Sequence, residues 1–366
     1  MKICHITSVH KENDVRIELK ELTSLAKQYE SYLLIYNTSE TNKPYRIVDI
    51  GNKYNSRVKR ILFSKKNIFR KALEIDADLY HLHDPELIGV ARKLKSKNKI
   101  VIFDFHEDTP KQILSKHYIP KILRKPLSLI YKIYEEKSSS KFDGIVTATP
   151  YLERKFVKHN KNTVAINNFP ILSEFTHLNN NFANKEIDLI YIGGISGERG
   201  LFEMIKIAND KPNLKITLCG RFISSEEEKK AMQMIKFDNI KFKGMLNRTQ
   251  IQKELEKAKV GLVLLEKNER FSESLPIKMF EYMAAGIPVI ATQFKLWEKI
   301  IKESSAGICI NPKDTNDIIK KIEMLLSNPI LMKKMGDSGR NYVTEKYNWE
   351  NEEKKLLNLY KKLEEN

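Results

Sequence analysis

The feature that most constrains this chain is an alternation that occurs twice. Short runs rich in Ile, Val, Leu, Phe and Tyr are followed by helix-like segments. In the first half the runs are Lys2–Thr7, Tyr32–Tyr36, Val58–Phe63, Leu79–His83, Ile100–Phe105 and Gly144–Thr147. In the second they are Ile187–Ile192, Leu214–Cys219, Ile240–Phe242, Val260–Leu265, Ile287–Ala291 and Gly307–Ile310. Runs of this length and composition read as buried strands. Strands that alternate with helices predict mostly parallel sheets covered on both faces. The stretch from Phe169 to Lys185 breaks the pattern with Pro170 and the triplet Asn179-Asn180-Asn181, and reads as a linker. The expected fold class is therefore α/β, with two Rossmann-like doubly wound domains, residues 1–168 and 187–346, joined by residues 169–186. Ligands bind outside the carboxyl ends of such strands, so a central cleft faced by both domains is expected. Asp14–Lys27 reads as an early helix capped by Asp14. The end of the chain reads as helices Thr315–Leu326, Leu331–Tyr347 and Asn351–Glu364.

A chain of 366 residues, 41% of them apolar, is long enough to bury two cores. Lys and Arg number 64 against 47 Asp and Glu, a net charge of +17. That balance fits a negatively charged partner, such as nucleic acid, a membrane surface or a phosphorylated substrate. A lysine-rich proteome would explain part of it equally well. Cys4, Cys219 and Cys309 are odd in number, widely spaced and set in apolar runs. They predict buried free thiols in a reducing compartment, not a disulfide frame or a zinc site. The N-terminus runs straight into a strand, so no secretory leader is expected. No apolar stretch approaches the roughly 20 residues of a membrane span. The expectation is a cytoplasmic protein, soluble or peripheral on the inner face of the membrane.

The strongest chemical signal runs from Glu273-Ser274-Leu275-Pro276-Ile277-Lys278 through Glu281 to Gly286-Ile287-Pro288. Pro276 suits a helix start, Ser274 is a capping candidate, and Gly286 suits the stop. Free N–H groups at a helix start favour phosphate. An acid before the helix, Glu273, and one inside it, Glu281, would then hold hydroxyls on either side of that phosphate. A nucleotide sugar has this layout. The competing reading makes both glutamates ordinary solvated charges. The second signal is Tyr191-Ile192-Gly193-Gly194-Ile195-Ser196-Gly197-Glu198-Arg199-Gly200, a strand leading through glycines into a helix. Such turns approach phosphates, and also occur for packing alone. In the first half, polar clusters fall at strand ends: His5 to Arg16, His81-Leu82-His83-Asp84, and Asp104-Phe105-His106.

The segment 273–292 resembles the signature of glycosyltransferase family 4, closest to the form in capsule and exopolysaccharide enzymes. The resemblance covers nearly the whole chain and implies a retaining GT-B enzyme. It implies that the first domain holds the acceptor and the second a nucleotide-sugar donor, with residues 347–366 packing back on the first. By resemblance Glu273 contacts the donor sugar and Glu281 the ribose. Leu275 and Pro276 bring backbone to the diphosphate, and Gly244-Met245-Leu246 lies near the base. The family usually carries Arg after the first glycine and Lys a few residues on, both on the diphosphate. Here Arg199 matches the second, while Gly194 replaces the first, leaving Arg221 and Lys278 as substitutes. His106 is the residue expected at the transferred sugar, with Arg16 and Asp84 expected at the acceptor or in loop structure. Glu273, His106 and Arg199 are the expected catalytic set. Gly193, Gly194, Arg221, Met245, Ser274, Leu275, Pro276, Lys278 and Glu281 are the expected donor set.

No metal or cofactor is expected beyond the nucleotide sugar itself. The acceptor would be a saccharide, free or lipid-linked. Residues 111–141 interleave Lys116, Lys121, Arg124, Lys125, Lys132 and Lys137 with Ile, Leu and Tyr, so an anionic membrane surface is a candidate partner. A helix packed on its own domain is the competing reading. No nucleic-acid motif is present, so nucleic acid is not an expected partner. Three rival functions stay open: a nucleotide-sugar epimerase or hydrolase, a non-catalytic anionic-surface binder, and a degenerate transferase subunit.

Overall fold

The structure is a computed structural model and describes residues 1–38, 42–51, 64–116, 119–178 and 181–365. The chain forms two units, residues 1–168 with 351–366, and residues 169–350. The strand read at Val58–Phe63 lies outside the described residues.

In the first unit, β1 (Lys2–Ile6), β2 (Glu30–Ile35), β3 (Arg46–Asp49), β4 (Leu79–Leu82), β5 (Ile100–Phe105), β6 (Gly144–Thr147) and β7 (Thr163–Ala165) form one sheet. Its order is β3-β2-β1-β4-β5-β6-β7, and all its pairs are parallel. Helices α1 (Lys65–Ile75), α2 (Ile88–Lys95), α3 (Thr109–Ser115), α4 (Lys121–Ser139) and α5 (Pro150–Phe156) belong to this unit. Cys4, Ile6, Tyr80, Leu82, Phe103 and Phe105 from the sheet meet Ile68, Ala91 and Phe156 from the helices in one core. β3 and β7 are absent from the sequence reading. Both are short edge strands, and β3 is only half-buried, so neither carries a continuous apolar run. The early helix differs too. Ile17–Leu22 is a π-helix followed by one turn at Thr23–Leu25. Asp14 Oδ1 accepts the N–H groups of Arg16 and Ile17, both at 2.9 Å, but Arg16 holds the cap position and no side chain caps the helix, a correction to the expected Asp14 cap.

In the second unit, β8 (Ile187–Ile192), β9 (Ile216–Cys219), β10 (Ile240–Phe242), β11 (Ala258–Val263), β12 (Val289–Thr292) and β13 (Gly307–Ile310) form a sheet in the order β10-β9-β8-β11-β12-β13. These pairs are parallel as well. Helices α6 (Leu201–Asp210), α7 (Ser225–Met234), α8 (Arg248–Glu256), α9 (Ile277–Ala284), α10 (Lys295–Ser304), α11 (Thr315–Leu326) and α12 (Pro329–Lys346) follow. The final helix, α13 (Trp349–Glu364), begins beside the last residues of this unit. From residue 351 onward it belongs to the first unit. Both strand orders place β1 and β8 at the point where the winding reverses, the usual position of a ligand crevice.

The stretch 169–186, expected as a linker, belongs to the second unit. Phe169, Phe175 and Leu178 are buried in its core, and Phe169 packs edge-on to Phe280 at 4.8 Å between centroids. Its apolar residues follow no strand or helix period, which is why the sequence reads as a break. Among the described residues no helix is long and apolar enough to cross a membrane. Cys4 and Cys219 are buried and Cys309 is partly buried, all as free thiols.

Candidate active site

The second unit builds its site at the carboxyl ends of β8, β9 and β10. β8 turns through Gly193 at φ +130°, and β9 through Gly220 at φ +148°. A Cβ on Gly220 would sit 1.9 Å from the Gly193 carbonyl oxygen, so these turns touch backbone to backbone and need glycine. α9 is seated on this floor by Tyr282. The buried Tyr282 ring lies so close to Gly261 of β11 that a Cβ there would meet it at 2.3 Å. Its hydroxyl accepts the N–H of Ile192 at 3.0 Å.

Lys278 lies one turn before Tyr282 on the same face of α9 and is thereby aimed at the end of β8. Its Nζ sits 3.7 Å from the centroid of the Tyr191 ring. It is 3.0 Å from where a Cβ on Gly193 would be. The ammonium is buried and has no hydrogen-bond partner among the described residues. Burial, reinforced by the charge of Arg199, holds its pKa well below the ordinary lysine range. Arg199 approaches from the next glycine, its Nη1 3.2 Å from the Cβ position of Gly194. Gly194 therefore provides room that Arg199 and Ile223 fill.

Glu281 is buried, and its Oε1 accepts from Arg248 Nη1 at 2.6 Å. Arg248 Nη2 also donates to Glu174. Glu273 is exposed, at the end of the one-turn helix Glu269–Ser272. Ser274 does not cap α9, a correction to the sequence reading. Its hydroxyl donates instead to the Phe271 carbonyl at 2.8 Å, and Pro276 holds the cap position with no side-chain hydrogen bond. The Trp297 indole donates to the Ser274 carbonyl at 2.7 Å and fixes the loop. Leu275 packs partly into the core and Pro276 is half-buried beside it. Arg221 and Met245 stand exposed after β9 and β10. The structure thus gathers Gly193, Gly194, Arg199 and Lys278, with Glu281 on the same helix as Lys278. Arg248, Glu174 and Trp297 carry no motif and escaped the sequence reading. Tyr282 stands within the 273–292 run, with nothing in sequence to mark it as the anchor.

In the first unit the polar clusters at the strand ends do converge. Asp104 receives Arg16 in a fork, Nε to Oδ2 at 2.8 Å and Nη2 to Oδ1 at 3.0 Å. His106 Nε2 lies 2.8 Å from Asp104 Oδ2, and His83 Nδ1 lies 3.2 Å from it. Burial alone would raise the Asp104 pKa, but Arg16 and His106 hold it well below the carboxylate range. Glu21 is pushed well above that range by burial, against the pull of Arg16 at 3.1 Å. His5 Nδ1 meets His83 Nε2 at 2.9 Å, and the Tyr360 hydroxyl joins His5 Nε2 at 3.0 Å to His81 Nδ1 at 2.8 Å. Burial lowers His5 and His81 well below the usual histidine pKa, and His83 to about 4.

Two of the expected acceptor contacts are corrected by this geometry. Arg16 is buried, and its guanidinium is held by Asp104 and, at 2.6 Å, by the Ile166 carbonyl. Asp84 is buried too, its Oδ2 accepting from the Thr7 hydroxyl at 2.8 Å and the Ser8 N–H at 2.6 Å. Both shape the loop after β1 and neither is presented to a ligand. His106 remains partly exposed, with Asp104 behind it. Two sets have donor atoms close enough to suggest a metal: His5, Glu21, His81 and His83, and His83, Asp104 and His106. In both sets, however, His83 already has one nitrogen against His5 and the other against Asp104. His83 is thus taken up by hydrogen bonds, while both Glu21 oxygens and His81 Nε2 have no hydrogen-bond partner among the described residues.

Residues 173–342 match the family described as glycosyl transferases group 1. The match spans the glycine floor, Arg199, Lys278, Glu273 and Glu281. Two uncharacterized glycosyltransferases of Methanocaldococcus jannaschii are similar to the chain. One is 25% identical over 47% of this chain and 44% of its own length, and the other 22% identical over 92% and 91%. The first match thus spans less than half of that relative. Among solved structures, HepE from Anabaena in complex with UDP and glucose aligns at TM-score 0.75 with 14% identity, over 99% of each chain. At that identity the likeness shows fold, and the fold is GT-B: two parallel-sheet, Rossmann-like domains.

Proposed function

We propose that the chain is a metal-independent glycosyltransferase. It would move a sugar from a nucleotide diphosphate, UDP in the first instance, to a saccharide or lipid-linked saccharide, with retention of configuration, in cell-surface polysaccharide synthesis. The observation that carries this reading is the buried ammonium of Lys278 beside Arg199 at the glycine floor. A buried amine with no hydrogen-bond partner among the described residues is costly, and a diphosphate would supply charge and acceptor oxygens together. HepE, of the same fold, was solved with UDP and glucose. Lys278, Arg199 and the first N–H groups of α9 would stabilise negative charge on the leaving diphosphate, the effect that usually dominates such sites. Glu281, oriented by Arg248, would take the ribose, Glu273 the donor sugar, and His106 the transferred sugar from the acceptor side.

A thermal-shift comparison of UDP, GDP, ADP and their sugars on wild type and Glu281→Ala tests the donor half. A ligand that binds only the folded state raises the melting point by mass action. A shift with one nucleotide, lost in the variant, is expected. No shift with any nucleotide at saturating concentration would remove the reading. Release of sugar without an acceptor would instead favour a hydrolase.

A further inference from the structure

We infer that the outward face of α4 docks the first unit on an anionic lipid bilayer. α4 is anchored to its unit by buried Glu135, Ser138 and Ser139 in its last turns and, further up, by Tyr131, Tyr134 and the Ser128 hydroxyl, which donates to the Pro110 carbonyl at 2.8 Å. Its earlier turns expose Ile122, Leu123, Leu127, Leu129, Ile130 and Ile133, with Ile122 85% and Ile130 64% accessible. At 3.6 residues per turn these six form one continuous arc. Leu114, on the neighbouring helix α3, is exposed as well. Chains of this kind seldom leave so many large apolar side chains together in water without a partner.

The occupant follows from the charges beside the arc. Lys121, Lys125 and Lys132 are exposed along one edge of it, at helical spacing. Next to the same helix lies a concavity of about 530 Å³ whose lining includes Lys111, Lys132, Arg154 and Lys158, with Asp108 and Glu136 as its acids. An apolar arc bordered by lysines matches the boundary between acyl chains and anionic headgroups. The corollary that the acceptor is carried on a lipid rests on the transferase reading above. Membrane docking does not rest on it.

The test is sedimentation of the full chain with phosphatidylcholine vesicles and with vesicles that also contain phosphatidylglycerol. Binding to the second kind alone is expected, and it should weaken with salt. Lys121→Gln, Lys125→Gln and Lys132→Gln together should weaken it about a hundredfold, and Ile122→Ser with Ile130→Ser by a comparable factor. All five residues are exposed, so both variants should keep the wild-type melting point and the wild-type response to UDP. No vesicle binding at low salt, or equal binding to both vesicle types, would overturn the inference. So would a dimer in solution that the serine variant converts to monomer, which would assign the face to self-association. Loss of vesicle binding with an intact UDP response separates this face from the donor site.

Discussion

At the scale of single residues, Lys278 makes a prediction of opposite signs. Its Nζ is buried with no hydrogen-bond partner among the described residues, so Lys278→Met should raise the melting point of the ligand-free protein. The same change should weaken nucleotide diphosphate binding roughly tenfold to hundredfold, the loss expected for a charge-assisted hydrogen bond. If calorimetry shows affinity and stability moving in the same direction, the assignment of Lys278 to the phosphates is wrong. Its pKa is depressed in the free protein, so binding should tighten as pH falls from the ordinary lysine range toward that depressed value. Arg248 acts through Glu281 and is a positioning residue. Arg248→Ala leaves two carboxylates, Glu174 and Glu281, without their shared cation. It should raise the donor KM more than it lowers kcat, whereas a purely structural role would leave both unchanged in the fraction that folds. His83, with pKa lowered to about 4 by burial, works in the other unit. A histidine depressed in the folded state stabilises the fold above its unfolded value and loses that contribution as pH falls. Urea unfolding should therefore lose of the order of 3 kcal/mol between about pH 6.5 and 4 through this residue alone, with His5 and His81 adding to it.

At the scale of elements, helix α13 completes the buried network of the first sheet. Tyr360 stands between His5 on β1 and His81 on β4, which are register neighbours. Tyr360→Phe keeps the ring and removes the hydroxyl, and should cost about 1–3 kcal/mol in denaturant unfolding. An unchanged stability would mean that the two imidazoles satisfy each other. The elements themselves were largely legible, because strands buried on both faces write continuous apolar runs. β3 and β7 were not, since an edge strand is half wet and short. The Glu273-to-Pro288 run announced α9 and where it starts and stops. The run could not show that Tyr282 sets the rotation of the helix, because that depends on Gly261, a residue on another strand. Arg16 and Asp84 were misread for the same reason. A charged residue in a loop looks available until its partners, here Asp104 and the N–H groups after β1, are known.

At the scale of the whole molecule, two units with separate cores should unfold in separable steps. Calorimetry should show UDP raising one transition only, that of residues 169–350, while Tyr360→Phe lowers the other. A single transition that moves as one under both changes would contradict this independence. The placement of α13 also bears on how the protein is made. The contacts from Tyr360 to His5 and His81 close sequence separations of 355 and 279 residues. Contacts so distant form late. During synthesis the first sheet would leave the ribosome early, with His5 and His81 lacking the phenol that reconciles them, and would wait while the second unit emerges and folds. A chain cut short before Tyr360 would keep a near-complete second unit yet leave the first unfinished, a built-in mark by which proteolysis could tell incomplete products from finished ones.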